Sequence, residues 1–190
     1  MQQCHRNCTV IFSFFKKRRY LKRINTLHAS LGIKGNYSKK RQIPAQMEAS
    51  RLVSIGPDVF QREQRMTPEA ASAWNAMKAA AAKDAVLLQV VSAYRSVDYQ
   101  DGIIRRKLEK GQLIDEILRV SAAPGHSEHH TGRALDITTP GVAVLEEEFE
   151  ETEAFSWLNA HAGRFGFYLS FPRGNPHGVA YEPWHWAWRG

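Results

Sequence analysis

A chain of 190 residues with 43% hydrophobic, 11% aromatic and 24% charged positions has room for one ordinary domain plus an extension, and this composition excludes disordered, collagen-like and coiled-coil chains. The only cysteines, Cys4 and Cys8, lie at the start, so the body has neither a disulfide framework nor a thiolate zinc site, and a metal there needs His and carboxylate ligands. The net charge of +7 is uneven: residues 1–47 carry eleven Lys or Arg and no acidic residue, leaving 15 basic and 19 acidic residues beyond them.

Residues 1–47 therefore read as a basic extension, poorly ordered or loosely packed, and residues 48–190 as the domain. The cluster Lys16-Lys17-Arg18-Arg19 with Lys22-Arg23 suits contact with acidic surfaces. The apolar run Thr9 to Phe15 is far shorter than the roughly 18–20 residues of a membrane span, so no transmembrane segment is expected. The basic cluster follows that run instead of preceding it, the reverse of a standard secretory signal.

Thr67-Pro68-Glu69 opens a helix with an N-cap hydroxyl, a proline at the first position and an early carboxylate. Ala70, Trp74, Met77 and Ala81 then form one apolar stripe. The short β-branched run Val86 to Val91 predicts a buried strand, ending abruptly at the polar Ser92-Ala93-Tyr94-Arg95-Ser96. Helices follow from Asp98 to about Lys110 and from Asp115 to Val120, then a polar loop from Gly125 to Gly132. In Ala134 to Thr138, alternation puts Leu135 and Ile137 on the core face and Asp136 on the other. The six carboxylates from Glu146 to Glu153 read as a solvated rim, followed by a helix bearing Phe155, Leu158 and Ala162. Phe167 to Phe171 reads as a strand, and Trp184 to Trp188 alternates so that three tryptophans share one face and His185 takes the other. Helices and strands mix without a βαβ rhythm, which predicts a single α+β domain with a largely antiparallel sheet flanked by helices.

Two histidines, His129 and His185, and one carboxylate, Asp136, lie in or beside polar loops. Two imidazoles and a carboxylate with one position left open make an acceptable catalytic zinc site, although each residue alone also has an ordinary structural explanation, and spacing does not separate His129 from its neighbour His130. Glu182 lies three residues before His185, where a carboxylate can serve as the base for an attacking water. Residues three apart on an unbroken strand face opposite ways, so their convergence requires a turn or bulge around Pro183.

Ser127-Glu128-His129-His130-Thr131-Gly132-Arg133-Ala134-Leu135-Asp136 resembles the S-x-H-x-x-G-x-A-x-D motif of the VanY-type D-alanyl-D-alanine carboxypeptidases, zinc metallopeptidases with a hedgehog-like fold. Glu182-Pro183-Trp184-His185 resembles their E-x-x-H ending, and Ser92 to Ser96 with Gln100 their S-x-Y-R-S segment. The resemblance implies one Zn2+ per chain held by His129, Asp136 and His185, with Glu182 as general base. It implies Arg95 as the cation at the scissile carbonyl, and Ser127, Gln100 and Tyr94 lining the substrate pocket. The implied activity is a D,D-carboxypeptidase acting on peptides that end in D-alanine, such as peptidoglycan stem peptides or their precursors; the resemblance alone implies the periplasm or cell envelope, and without a standard secretory signal the other reading is the cytoplasm.

Other readings are a Ser-His-Asp hydrolase built on Ser127, a catalytically silent zinc-containing binding module, and nucleic-acid binding through the basic extension. The first lacks a G-x-S-x-G elbow and leaves Glu182, His185 and Arg95 without roles. The second has no use for Glu182 and Arg95. The third lacks a basic face on the domain, so no specific nucleic-acid partner is expected.

Overall fold

The computed structural model describes residues 2–190, with side chains from Phe15 onward. In chain order it begins with helices α1 (Gln2–Ser30) and α2 (Tyr37–Arg41). An antiparallel hairpin follows, β1 (Val53–Pro57) and β2 (Glu63–Met66), with an irregularity between Ser54 and Gly56. Helix α3 (Pro68–Lys83) then leads to β3 (Gln89–Ser92), α4 (Val97–Glu109) and α5 (Ile114–Val120). A 3-10 turn at Glu128–Thr131 precedes β4 (Ala134–Thr138), and another at Glu147–Glu151 precedes α6 (Glu153–His161). Strands β5 (Phe167–Leu169) and β6 (His185–Trp188) complete the chain.

Helix α3 starts where Thr67-Pro68 predicts and buries Ala70, Trp74, Met77 and Ala81. Thr67 makes no cap bond through its hydroxyl, however, and that oxygen is buried without a partner; its backbone N–H donates instead to Gly132 O at 2.9 Å. Strand β3 starts later than its apolar run. Ala85 turns the chain at φ 59° and Val86 N–H donates to Ala81 O, so Val86 to Leu88 wrap around the end of α3 before joining the sheet.

The main sheet has the order β3-β4-β6-β5, every pair antiparallel, as the sequence predicts. One face packs on α3 and α6 through Trp74, Met77, Leu135, Ile137, Leu158, Phe167 and Trp186, each large side chain contributing about 1.5–3 kcal/mol by leaving water. The predicted rim between Glu146 and Glu153 forms ion pairs from Glu147 and Glu150 to Arg173.

The reading of residues 1–47 as loosely packed needs correction over its second half. Leu31, Ile33 and Tyr37 join Ile104, Ile117, Leu118 and Ala123 in a second apolar cluster, and Ile24 and Ile43 are also buried. Polar clasps accompany this packing: His28 Nε2 to Pro124 O at 2.8 Å, His126 Nδ1 to Ile43 O at 3.0 Å, Tyr20 Oη to Gln46 O at 2.5 Å, and Arg41 Nη1 to Gly178 O. Residues 24–46 thus brace the loops on either side of the site described next. The side chains of Cys4, Cys8 and the Thr9 to Phe14 run lie outside the described residues. Among the described residues no helix is long and apolar enough to cross a membrane.

Candidate metal centre and active site

Three short segments converge on the face of the sheet opposite the main core. Asp136 on β4 and His185 on β6 are direct cross-strand partners, which brings their side chains together on one face. The turn Glu128–Thr131 delivers His129, and it is stitched to the end of β3 by alternating bonds. His129 Nδ1–H donates to Ala93 O at 2.5 Å, Arg95 N–H donates to His129 O at 3.2 Å, and His130 Nδ1–H donates to Arg95 O at 2.6 Å. Gly132 ends the turn at φ 65°, where a Cβ would also meet Leu52 Cδ2 at 2.8 Å; glycine alone satisfies both demands.

His129, Asp136 and His185 are all buried, and their ligand-type atoms lie within 4.8 Å of one another. Asp136 Oδ1 is 3.2 Å from His129 Nε2 and 3.0 Å from His185 Nδ1, close to the edge of a tetrahedron with metal bonds of about 2.1 Å. Each imidazole is held from behind. His129 Nδ1 bonds the Ala93 carbonyl, which leaves Nε2 free to act as a ligand, and His185 Nε2 bonds Glu128 Oε2 at 2.9 Å. Such outer bonds fix ring orientation at metal sites. The residues present fit a zinc ion.

The electrostatics agree. Burial would raise Asp136, but His129, His185 and Arg95 outweigh it and hold the carboxyl well below its usual range. Burial and Arg95 push His129 down to about 4, which keeps it neutral. Burial lowers His185, but its bonds to Asp136 and Glu128 prevail and push it up to about 10.

The predicted break before β6 is present. His185 N–H donates to Glu182 O at 3.0 Å across a turn through Pro183, and Glu182 Oε2 comes within 3.9 Å of His185 Nδ1. Burial, with the charges of Asp136 and Glu128 beside it, pushes Glu182 up to about 7. Arg95 completes the group, with Nη2 at 3.5 Å from Asp136 Oδ2 and its buried Nε without a partner. A cleft of about 330 Å³ opens over these residues, lined by Arg95, Asp136 and Glu182 together with Ile103, Lys107, Val120, Ser121, Leu145, Ala180 and Trp184. Trp184 also packs on the main core.

The other expected pocket residues are placed differently. Gln100 and Ser127 are buried, at 1% and 4% exposure, and Gln100 spends its amide N–H on Ala122 O at 2.8 Å. Tyr94 lines an adjoining depression with Tyr99 and Ser96, its hydroxyl 3.5 Å from Glu48 Oε1. None of the three lines the cleft. His130 and His126 are spent on backbone bonds, and His130 Nε2 accepts from Gly125 N–H at 3.0 Å. This separates His129 from His130, which spacing alone does not. Glu128 and Lys107 carry no motif signal of their own. Glu128 meets a histidine 57 positions away, and Lys107 sits in an ordinary basic stretch of α4.

Residues 63–190 match the family model described as VanY: D-alanyl-D-alanine carboxypeptidase. The chain belongs to this family. YodJ of Bacillus subtilis strain 168 is 35% identical over 159 residues, covering 78% of this chain and 56% of YodJ, so the chain spans little more than half of that relative. The solved LdcB LD-carboxypeptidase superposes with a TM-score of 0.69 at 32% identity, covering 77% of this chain and 72% of that one. A vancomycin-resistance D,D-pentapeptidase VanY, solved as a variant in complex with Zn(II), superposes at 0.59 with 28% identity, covering 78% and 83%. The α+β fold with its antiparallel sheet is thus that of the VanY family, and a zinc complex exists for a member with this architecture.

Proposed function

We propose that the chain is a zinc-dependent carboxypeptidase that releases the terminal D-alanine from peptidoglycan stem peptides or their precursors, with one zinc held by His129 Nε2, Asp136 Oδ1 and His185 Nδ1. The observation that carries this reading is the placement of Glu182 and Arg95 beside that ligand set, because a metal held only for stability needs neither. Zinc, when bound, supplies a Lewis acid and lowers the pKa of a water molecule toward about 7.

The chain's own groups supply the rest. Arg95, charged at every working pH, offers guanidinium donors to the scissile carbonyl oxygen as negative charge develops there. Glu182, raised toward neutrality by burial, takes a proton from the attacking water on its carboxylate and passes it to the amine that leaves. Trp184, Val120 and Leu145 give the cleft apolar walls. Glu128 and the Ala93 carbonyl hold the two imidazoles in their tautomers throughout.

Within this activity the D,D reading has a rival in L,D cleavage, favoured by the likeness to LdcB, an LD-carboxypeptidase, at the higher TM-score. The test is to incubate the zinc-loaded protein with stem pentapeptide and tetrapeptide and identify what is released. Alanine from the pentapeptide supports D,D action, and alanine from the tetrapeptide alone supports L,D action. Release from either peptide that persists in excess chelator overturns the zinc reading, and release from neither overturns the carboxypeptidase reading. A place in the cell envelope is part of the same proposal for stem peptides as the substrate; with their precursors as the substrate the place is the cytoplasm.

A further inference from the structure

The cleft holds a second cation that this reaction leaves without a task. Lys107, in the last turn of α4, lines the cleft together with Arg95, Glu182, Ser121 and Trp184. Its side chain is partly buried, and its Nζ donates to Ser121 Oγ at 3.2 Å. Among the described residues no carboxylate lies within ion-pair distance of it, whereas Arg105, two residues earlier on the same helix, is paired with Asp101 at 2.7 Å. Burial lowers the Lys107 ammonium, Glu182 raises it and Arg95 lowers it, so its charge is felt at both groups proposed to act on the scissile bond.

An ammonium carries three donors, of which Ser121 uses one. Holding a partly desolvated charge without a counter-ion is costly, and a bound anion relieves that cost. Arg95 is already engaged by Asp136, and in the proposed reaction by the scissile carbonyl. A peptide that ends beside the scissile bond brings at least one carboxylate into the cleft. We infer that Lys107 and Ser121 form a carboxylate-binding subsite of the cleft, a reading that rests on the proposed peptidase activity for the identity of the ligand. The carboxylate has two possible sources: the α-carboxylate of the departing residue, or a side-chain carboxylate on the residue that precedes the D-alanines.

The test is calorimetric and independent of turnover. Zinc-loaded Glu182→Gln protein, with and without Lys107→Met, is titrated with three N-acetylated probes: a peptide ending Lys-D-Ala-D-Ala, its C-terminal amide, and the same free-acid peptide with diaminopimelate in place of the lysine. Losing a hydrogen bond to a charged group predicts about 10- to 100-fold weaker binding in Lys107→Met. A loss on both free-acid peptides but not on the amide assigns the terminal carboxylate. A loss confined to the diaminopimelate peptide assigns the side chain. Equal affinities with and without Lys107, equal losses on all three probes, or no binding with Lys107 intact overturn the subsite. Lys107→Arg keeps the charge and retains part of the affinity if the role is recognition, and matching melting temperatures exclude a folding effect. If the wild-type chain binds the probes in a Lys107-dependent way yet releases no alanine, the peptidase reading fails and the subsite stands.

Discussion

Glu128 Oε2 lies 2.9 Å from His185 Nε2, on the side of the imidazole opposite the Nδ1 that faces Asp136. The bond crosses from the 3-10 turn to β6, so the segment that supplies one candidate ligand also orients another. Glu128→Gln keeps the shape but weakens this hold, and is expected to lower zinc affinity about 10- to 100-fold. Competition against a chromogenic chelator measures it, and an unchanged affinity would show that the bond does not matter to the metal.

Glu182→Gln is expected to retain both zinc and fold while turnover falls by roughly 10²- to 10⁴-fold, the usual contribution of a positioned base. Metal content and steady-state rates on the same preparation decide the matter. Near-normal turnover removes Glu182 from its role. His185→Ala is expected to differ in kind, losing the metal itself.

Gly125 adopts φ 81°, and a Cβ there would sit 2.5 Å from Ile24 Cδ1. Gly125→Ala therefore meets both backbone strain and overlap with α1, and is expected to cost about 1–3 kcal/mol. Chemical denaturation measures that loss. Adding Ile24→Ala relieves the overlap but not the strain, so the double variant is expected to lose less than the sum of the two single changes. Strict additivity would mean that α1 does not press on the loop.

Burial holds His28 and His126 below the ordinary histidine value, and their rings lie 5.4 Å apart. In the unfolded chain both titrate near about 6.5. Above that value neither state takes up a proton and their contribution to stability is complete. As pH falls through it the unfolded chain binds protons that the folded, neutral rings refuse, so stability declines until the lower folded values are reached. His28→Gln, which retains a donor for the Pro124 carbonyl, is expected to flatten the fall in melting temperature between pH 8 and pH 5. Parallel curves for the two proteins would show that His28 does not contribute to it.

Much of the site is legible in the sequence because its parts are local. His129 and Asp136 lie on a single turn-strand unit, and Glu182 and His185 on one turn through Pro183, so spacing with the motif resemblance places them. The helix from Pro68 is legible for a similar reason, since Thr67-Pro68 and the stripe from Ala70 to Ala81 are local signals. What escapes depends on contacts between distant segments. Glu128 bonds His185 across 57 positions. Gln100 donates its amide N–H to the distant Ala122 carbonyl and keeps its buried Oε1 without a partner. Ile24 is buried against the Gly125 loop and Tyr37 against α4 and α5, contacts with distant segments that a basic composition conceals. Val86 to Leu88 read as strand because they are apolar, but Val86 and Leu88 pack into the core beside α3 while Leu87 between them faces solvent.

The pairing of Asp136 with His185 across β4 and β6 also bears on which ion the protein accepts. The spacing of hydrogen-bonded strands fixes how far apart these two side chains are rooted, and a fully buried central strand yields little to its occupant. His129 rides on a one-turn helix instead, so adjustment to a larger or smaller cation falls chiefly to residues 128–131. Because that turn is bonded to the segment that ends β3 through Ala93 and Arg95, selectivity among divalent metals would be tuned jointly by the turn and the strand end behind it.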